Sequence, residues 1–351
     1  MSAKAALISI SSRSSGWTQR DVRVVRYALG ATTGMAIAMG FGWELSYLVP
    51  VLSLSFLAAP DTPLTPKAGL FFIAMVGVAC YVGVLLADNF IPYPGVFIPL
   101  VGIILFRIFY AGQRGRSKLL IMWLLIAVTV IPLVRLIQPS VAVFVAQGVF
   151  FDVVITVGLG VLAFLLIPEK PQELDRSAST KPVAPPVSAE EAFRSAAVST
   201  VVVLPLLSVF YLFKMTGAVL VLVFVAILAS QPAFAANFKV GKALVAGNVI
   251  GGFISILFYE LLVIVPLFPF LLLMTLLLGL VLGAKVFSGK PASALFGMAF
   301  STTLLIIGST TSSDGDASSE VYSRVLQIMF AVVYVVAAFG VLNRLFPRKN
   351  G

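Results

Sequence analysis

The chain has 351 residues, 60% of them hydrophobic and 11% charged, with a net charge of +10. A water-soluble domain carries roughly 25% charged residues; a chain this poor in charge, with apolar runs of about twenty residues, falls outside the soluble globular class and has lipid as its solvent. The lack of histidine and the single cysteine, Cys80, exclude an intrachain disulfide, the commonest metal ligand and any histidine-based catalytic arrangement.

Met1 to Arg20 is polar, serine-rich and basic, without the apolar core of a cleavable signal, and reads as a short cytoplasmic tail. Counting an apolar run of about twenty residues as one crossing predicts about twelve transmembrane helices. The first six lie near 24–43, 45–59, 68–87, 92–111, 119–138 and 142–167. Residues 168–192, with Pro168, Pro171, Pro182, Pro185 and Pro186 among small polar residues, lack the apolar surface to fold and read as a linker. The second six lie near 193–213, 216–231, 241–262, 266–285, 291–308 and 322–346. The expected organisation is a tail (1–20), a six-helix repeat (21–167), a linker (168–192), a second six-helix repeat (193–347) and a tail (348–351).

All lysines and arginines except Arg135, Lys214 and Arg324 fall on one side of this topology. By the positive-inside rule that side is cytoplasmic, with both termini inside, and the basic charge reflects these loops rather than nucleic-acid binding. Glu44, Asp88, Glu260 and the acidic 309–320 loop face the other way.

Laying one half on the other reveals an internal repeat. A single ungapped register places Pro60 on Pro232, Lys67 on Lys239, Gly69 on Gly241, Asp88 on Glu260 and Pro94 on Pro266. With short insertions, Arg26 meets Arg194 and Gly112 meets Gly289. An even number of crossings per unit gives both halves the same orientation, so the fold is an all-α polytopic membrane protein of two parallel six-helix repeats. A solute pathway is expected near the axis between them.

Gly42-Trp43, Pro50, Pro60, and Lys67 before Gly69, repeated as Gln231-Pro232, Lys239 and Gly241, resemble the first two helices of the fusaric acid resistance and aromatic acid exporter superfamily. Ala59 stands where that family has glutamine, and residues 168–192 stand where its large members have a cytoplasmic domain, so the resemblance is to a compact, all-membrane branch. It implies an export component of a bacterial inner membrane, aromatic carboxylic acids as substrates, and a periplasmic adaptor of the membrane-fusion type as partner. A more distant resemblance to plant malate channels, whose six-helix unit works as a dimer, keeps a passive anion channel and a homo-oligomer open. A non-transporting membrane partner of an adaptor is the third reading.

Ionisable side chains inside a membrane are costly and usually functional. Asp152, mid-way along the sixth helix, reads as a proton-coupling or substrate-contact carboxylate, or else as a buried acid paired with a neighbouring helix; the second half has Ala331 at that place. Asp88 and Glu260 end the third helix of each unit and read as a symmetric pair that gates or binds, or as solvated acids. Arg135, near the external turn after the fifth helix, either attracts an anion or snorkels to headgroups. Arg26 and Arg194 either recruit an anionic substrate at the basic mouth or anchor to anionic lipid. Pro60 and Pro232 end two short spans at matching places in the repeats, a pattern that points to a binding region. There is no phosphate-binding glycine loop and no zinc spacing, so neither an enzyme nor a cofactor is expected.

Overall fold

The computed structural model describes residues 18–43, 45–58, 66–136, 139–168, 188–215, 219–230, 238–290, 292–311 and 317–345. Among the described residues there are twelve α-helices and no strand. In chain order they are α1 (Gln19–Phe41), α2 (Leu48–Ala58), α3 (Pro66–Phe90), α4 (Pro94–Gln113), α5 (Lys118–Val134) and α6 (Pro139–Leu166). The second set is α7 (Ala189–Leu212), α8 (Val219–Ala229), α9 (Phe238–Ile264), α10 (Phe268–Val286), α11 (Ser293–Thr311) and α12 (Ala317–Leu345).

Nine described helices are long and apolar enough to cross a membrane, and the chain is a multi-pass membrane protein. Leu70, Phe71, Val78 and Tyr81 on α3, with Phe253 and Leu257 on α9, leave large apolar side chains exposed on the outside of the bundle. Contiguous exposure of this kind suits a lipid surface. In the second crossing of each half the described helix is short. The helices α2 and α8 have 11 residues each, about 16 Å at 1.5 Å per residue, against an apolar core of about 30 Å. Both are packed inside the bundle: Leu48, Val49, Leu52, Leu54 and Leu57 of α2 and Leu222, Val225 and Ala229 of α8 are buried.

Two boundaries differ from the sequence reading. Helix α7 begins at Ala189, inside the stretch read as linker, because the Ser188 side chain accepts a hydrogen bond from the Glu191 amide and Glu190 and Glu191 occupy the first turn. Both features offset the unmet amides and positive end of a helix N-terminus. Helix α11 continues to Thr311 and α12 starts at Ala317, so the predicted external loop 309–320 is largely helical; residues 312–316 lie outside the described residues.

The main helix pairings of one half recur in the other. Third packs on fifth (α3 on α5, α9 on α11), and second on sixth (α2 on α6, α8 on α12). Contacts between halves obey the same exchange: α1 packs on α10 as α7 packs on α4, and α11 packs on α2 as α5 packs on α8. Glycines allow the first of these contacts. A Cβ on Gly279 would lie 2.9 Å from the Ala28 Cα, and one on Gly102 would lie 3.0 Å from Leu204; the register that carries Gly112 onto Gly289 also carries Gly102 onto Gly279. Small residues let helix backbones approach closely in lipid, where packing rather than hydrophobicity drives association.

Candidate functional site: a polar seam between α2 and α6

Helix α1 opens with a capping box, in which Thr18 and Asp21 satisfy each other's backbone amides, and closes at Gly42, whose left-handed φ of 59° turns the chain back. The turn carries Trp43 into the bundle, where its indole Nε1–H donates to Asp152 Oδ1 at 2.7 Å. Leu45, two residues on, also has a left-handed φ, 65°, a costly conformation for a branched side chain and one found at sites where geometry is over-determined.

Asp152 is 0% exposed and its second oxygen, Oδ2, has no hydrogen-bond partner. On α6, Asp152, Thr156 and Gly160 follow at four-residue spacing, so they lie along one face. Gly160 meets α2, for a Cβ there would touch Phe56 at 3.7 Å. On α2, Ser53 lies one turn before Phe56, along one face, and Ser46 lies in the turn that leads into α2. The contacts Trp43–Asp152 and Phe56–Gly160 advance together along both segments. The two helices are therefore parallel, and Ser53 stands level with Thr156. Ser53 of α2, with Ser46 in the turn before it, thus lies along the face of α6 that carries Asp152 and Thr156.

The hydroxyls of Ser46, Ser53 and Thr156 are buried and, like Asp152 Oδ2, have no partner. This is not the general habit of the molecule. Thr129, Thr200, Thr275, Thr303 and Thr310, equally buried, donate to the carbonyl four residues earlier. Each unmet buried polar group costs about 1–3 kcal/mol. Four of them on one seam, Ser46, Ser53, Thr156 and Asp152, would be eliminated from a seam that only held helices together.

The matching seam of the second half is apolar. Ala331, Val335 and Phe339 on α12 stand where Asp152, Thr156 and Gly160 stand on α6, and all three are buried. Helix α8 reads VLVLVFVAILA, without a hydroxyl. Buried polar groups of the second half satisfy one another: Thr302 donates to Asn248 at 2.6 Å and Thr303 to the Gly251 carbonyl at 3.0 Å. Among the described residues the buried side-chain atoms without a partner fall in the first half, four of them on the α2–α6 seam and the others on Arg26 and Trp123.

The other residues singled out by sequence fall elsewhere. Asp88 and Arg135 come together: Arg135 Nε donates to Asp88 Oδ1 at 2.7 Å, tying the end of α3 to the end of α5. Asp88 and Glu260, matched by the repeat, lie on helices that do not pack on each other. Helix α3 packs on α5 and α6, α9 on α11 and α12, and no extensive contact joins α3 to α9 among the described residues. Arg26 is not at an open basic mouth. It is 1% exposed, its guanidinium lies 3.8 Å over the Phe164 ring, and it donates to the Ile167 carbonyl at 3.3 Å. Burial follows from the packing of α1 on α6. Arg194, its repeat partner, is exposed. Pro60 and Pro232 lie outside the described residues. No cluster of metal-ligating side chains occurs among the described residues. A mostly apolar depression of about 550 Å³ lies on α12 beside α8, lined by Val221, Tyr322, Ser323, Leu326, Gln327 and Phe330. It belongs to the second half, and none of these lining residues is charged.

Sequence reasoning found Asp152 and missed its neighbours. Thr156, one turn along from Asp152, carried a signal of its own, as did Trp43 beside a glycine at a helix end; Ser46 and Ser53 became significant only through the packing of α2 on α6.

A family model described as a protein of unknown function (DUF2955) matches residues 23–163. No curated protein matches the chain, and no solved structure matches it. The matched stretch resembles that family over α1 to α6 and contains Trp43, Ser46, Ser53, Asp152 and Thr156, so the polar seam lies wholly within it.

Proposed function

We propose that this chain is a secondary exporter in a bacterial inner membrane, proton-driven, moving small amphipathic organic anions such as aromatic carboxylic acids outward and working with a periplasmic adaptor. The carrying observation is the Asp152 carboxyl, fully buried in mid-span, oriented by Trp43 and left with one unpartnered oxygen among three unpartnered hydroxyls. A buried ionisable group in a membrane protein is a functional site by default, and one held by a single neutral donor can change protonation without breaking an ion pair. The substrate class and the adaptor rest on the resemblance to the aromatic acid exporters.

The test is export of a panel of aromatic carboxylates from energised cells, with wild type and Asp152→Asn at matched membrane levels. Export that collapses both with the proton gradient and with the substitution is the expected result. Export that survives both points to a passive anion channel. No export of any substrate removes the proposed substrate class.

A further inference from the structure

We propose that the α2–α6 seam is a proton path, in which Asp152 takes up the proton, Ser46, Ser53 and Thr156 relay it through bridging water, and the second half of the chain is a scaffold without such a path. The inference rests on the coupling role given to Asp152 above and adds the route by which the proton reaches it.

Spacing excludes a metal-ion cage. A bound cation needs its oxygen ligands around one point, at about 2.5 Å. Ser46 lies in the turn before α2 and Ser53 in the second turn of the helix, and Asp152 and Thr156 are separated by four residues, about 6 Å along α6. The four residues are spread along the seam rather than gathered round one point. Such a spread suits a proton. Each hydroxyl accepts a proton on an oxygen lone pair and releases its own to the next water, so the chain of hydroxyls ends unchanged while one proton arrives at Asp152 Oδ2. No bond other than O–H forms or breaks. Gaps of this length need water between the hydroxyls, and a bridging water makes nearly as good a hydrogen bond as a direct contact.

The surroundings leave Asp152 as the acid of the seam. Helix α6 is packed by α1, α2, α3 and α5. Helix α2 has no titratable side chain. Cys80 of α3 is buried within electrostatic reach of Asp152. The cation of α1 against α6, Arg26, sits over Phe164, twelve residues or about 18 Å along the helix. On α5, Lys118 lies in the first turn, while Arg135, just after its end, is held by Asp88 of α3. The second half offers no counterpart, because Ala331 and Val335 replace the acid and the hydroxyl.

The experiment is infrared difference spectroscopy on the purified full chain in lipid, with no transport substrate present. The Asp152 carboxyl band is assigned by its loss in Asp152→Asn and followed through a pH titration and on transfer to deuterated water. Expected are a band that titrates, that shifts on deuteration within the mixing time, and that does not respond to replacing potassium by sodium. Exchange slows at least tenfold in Ser53→Ala combined with Thr156→Val, and separately in Ser46→Ala, whereas Val335→Thr in the second half leaves it unchanged. Exchange at the wild-type rate in the seam variants overturns the path. So does a band that moves with sodium at constant pH, or a carboxyl that stays ionised down to pH 4. Intact proton exchange without export of any aromatic carboxylate would instead overturn the substrate reading alone.

Discussion

Trp43 donates its indole N–H to Oδ1 of Asp152 across 2.7 Å, and nothing among the described residues donates to Oδ2. The carboxyl is thus oriented on one side and open to change on the other. Trp43→Phe keeps most of the packing and removes the only donor. A buried polar group that loses its partner costs about 1–3 kcal/mol, so unfolding in detergent should show a loss of that size. Export should fall together with it, and Trp43→Phe at wild-type stability and activity would show that the bond positions nothing.

Thr156→Val should separate stability from transport. Replacing an unpartnered buried hydroxyl with a methyl of the same shape is nearly neutral or stabilising. The melting temperature should therefore hold or rise while proton-coupled export falls at least tenfold. A variant that is both less stable and fully active would mean the hydroxyl serves packing alone.

The pair Arg135–Asp88 is exposed enough, at 25% and 49% side-chain exposure, that it contributes only about 0–1 kcal/mol to stability. Asp88→Asn and Arg135→Gln should each change unfolding within that range. The charge-swapped double variant should restore any change in export seen in the single variants, since it rebuilds the link between the ends of α3 and α5. Failure of the swap to restore it would place the effect on one residue rather than on the pair.

Two glycines make opposite predictions. A Cβ on Gly251 would sit 2.6 Å from the Ala299 carbonyl and 2.8 Å from Thr302 Cβ, so Gly251→Ala must push α9 away from α11. Overpacking of this kind costs about 1–3 kcal/mol. Gly40, near the end of α1, has nothing within 4 Å of a built Cβ, and Gly40→Ala should gain up to about 1 kcal/mol by restricting the unfolded chain. Chemical unfolding of both variants in the same detergent gives the comparison.

Ala331→Asp tests the asymmetry of the halves. The substituted acid would lie against α8, which has no hydroxyl, and among Val335 and Phe339. It should not rescue Asp152→Asn in the export assay, and it should lower stability by several kcal/mol because a buried acid without partners is costly. Rescue would mean that the halves are interchangeable.

Much of the architecture was written in single residues. Composition gave the solvent, and the polar landmarks Lys67, Gly69, Asp88 and Pro94, each with its partner in the second half, gave the repeat. Landmarks of this kind are local, and a duplicated chain keeps them in order. Helix ends were less legible, because a cap such as Ser188 with Glu190 and Glu191 extends α7 into a stretch whose overall composition suggested a linker.

The sequence by itself determined that the chain spans a membrane with helices, that it is built twice, and that Asp152 is a mid-helix acid without a repeat partner. Hydrophobic period, charge bias and repetition act along the chain and can be read along it. Only the tertiary structure decided that Ser46, Ser53 and Thr156 share a seam with Asp152, that Trp43 turns back to hold it, that Arg135 belongs to Asp88, and that Arg26 is buried. These are contacts between helices distant in sequence, set by which faces pack in a lipid environment where apolar side chains are nearly equivalent. A serine on an apolar helix reads the same whether it donates to its own backbone or faces a carboxylate across the bundle.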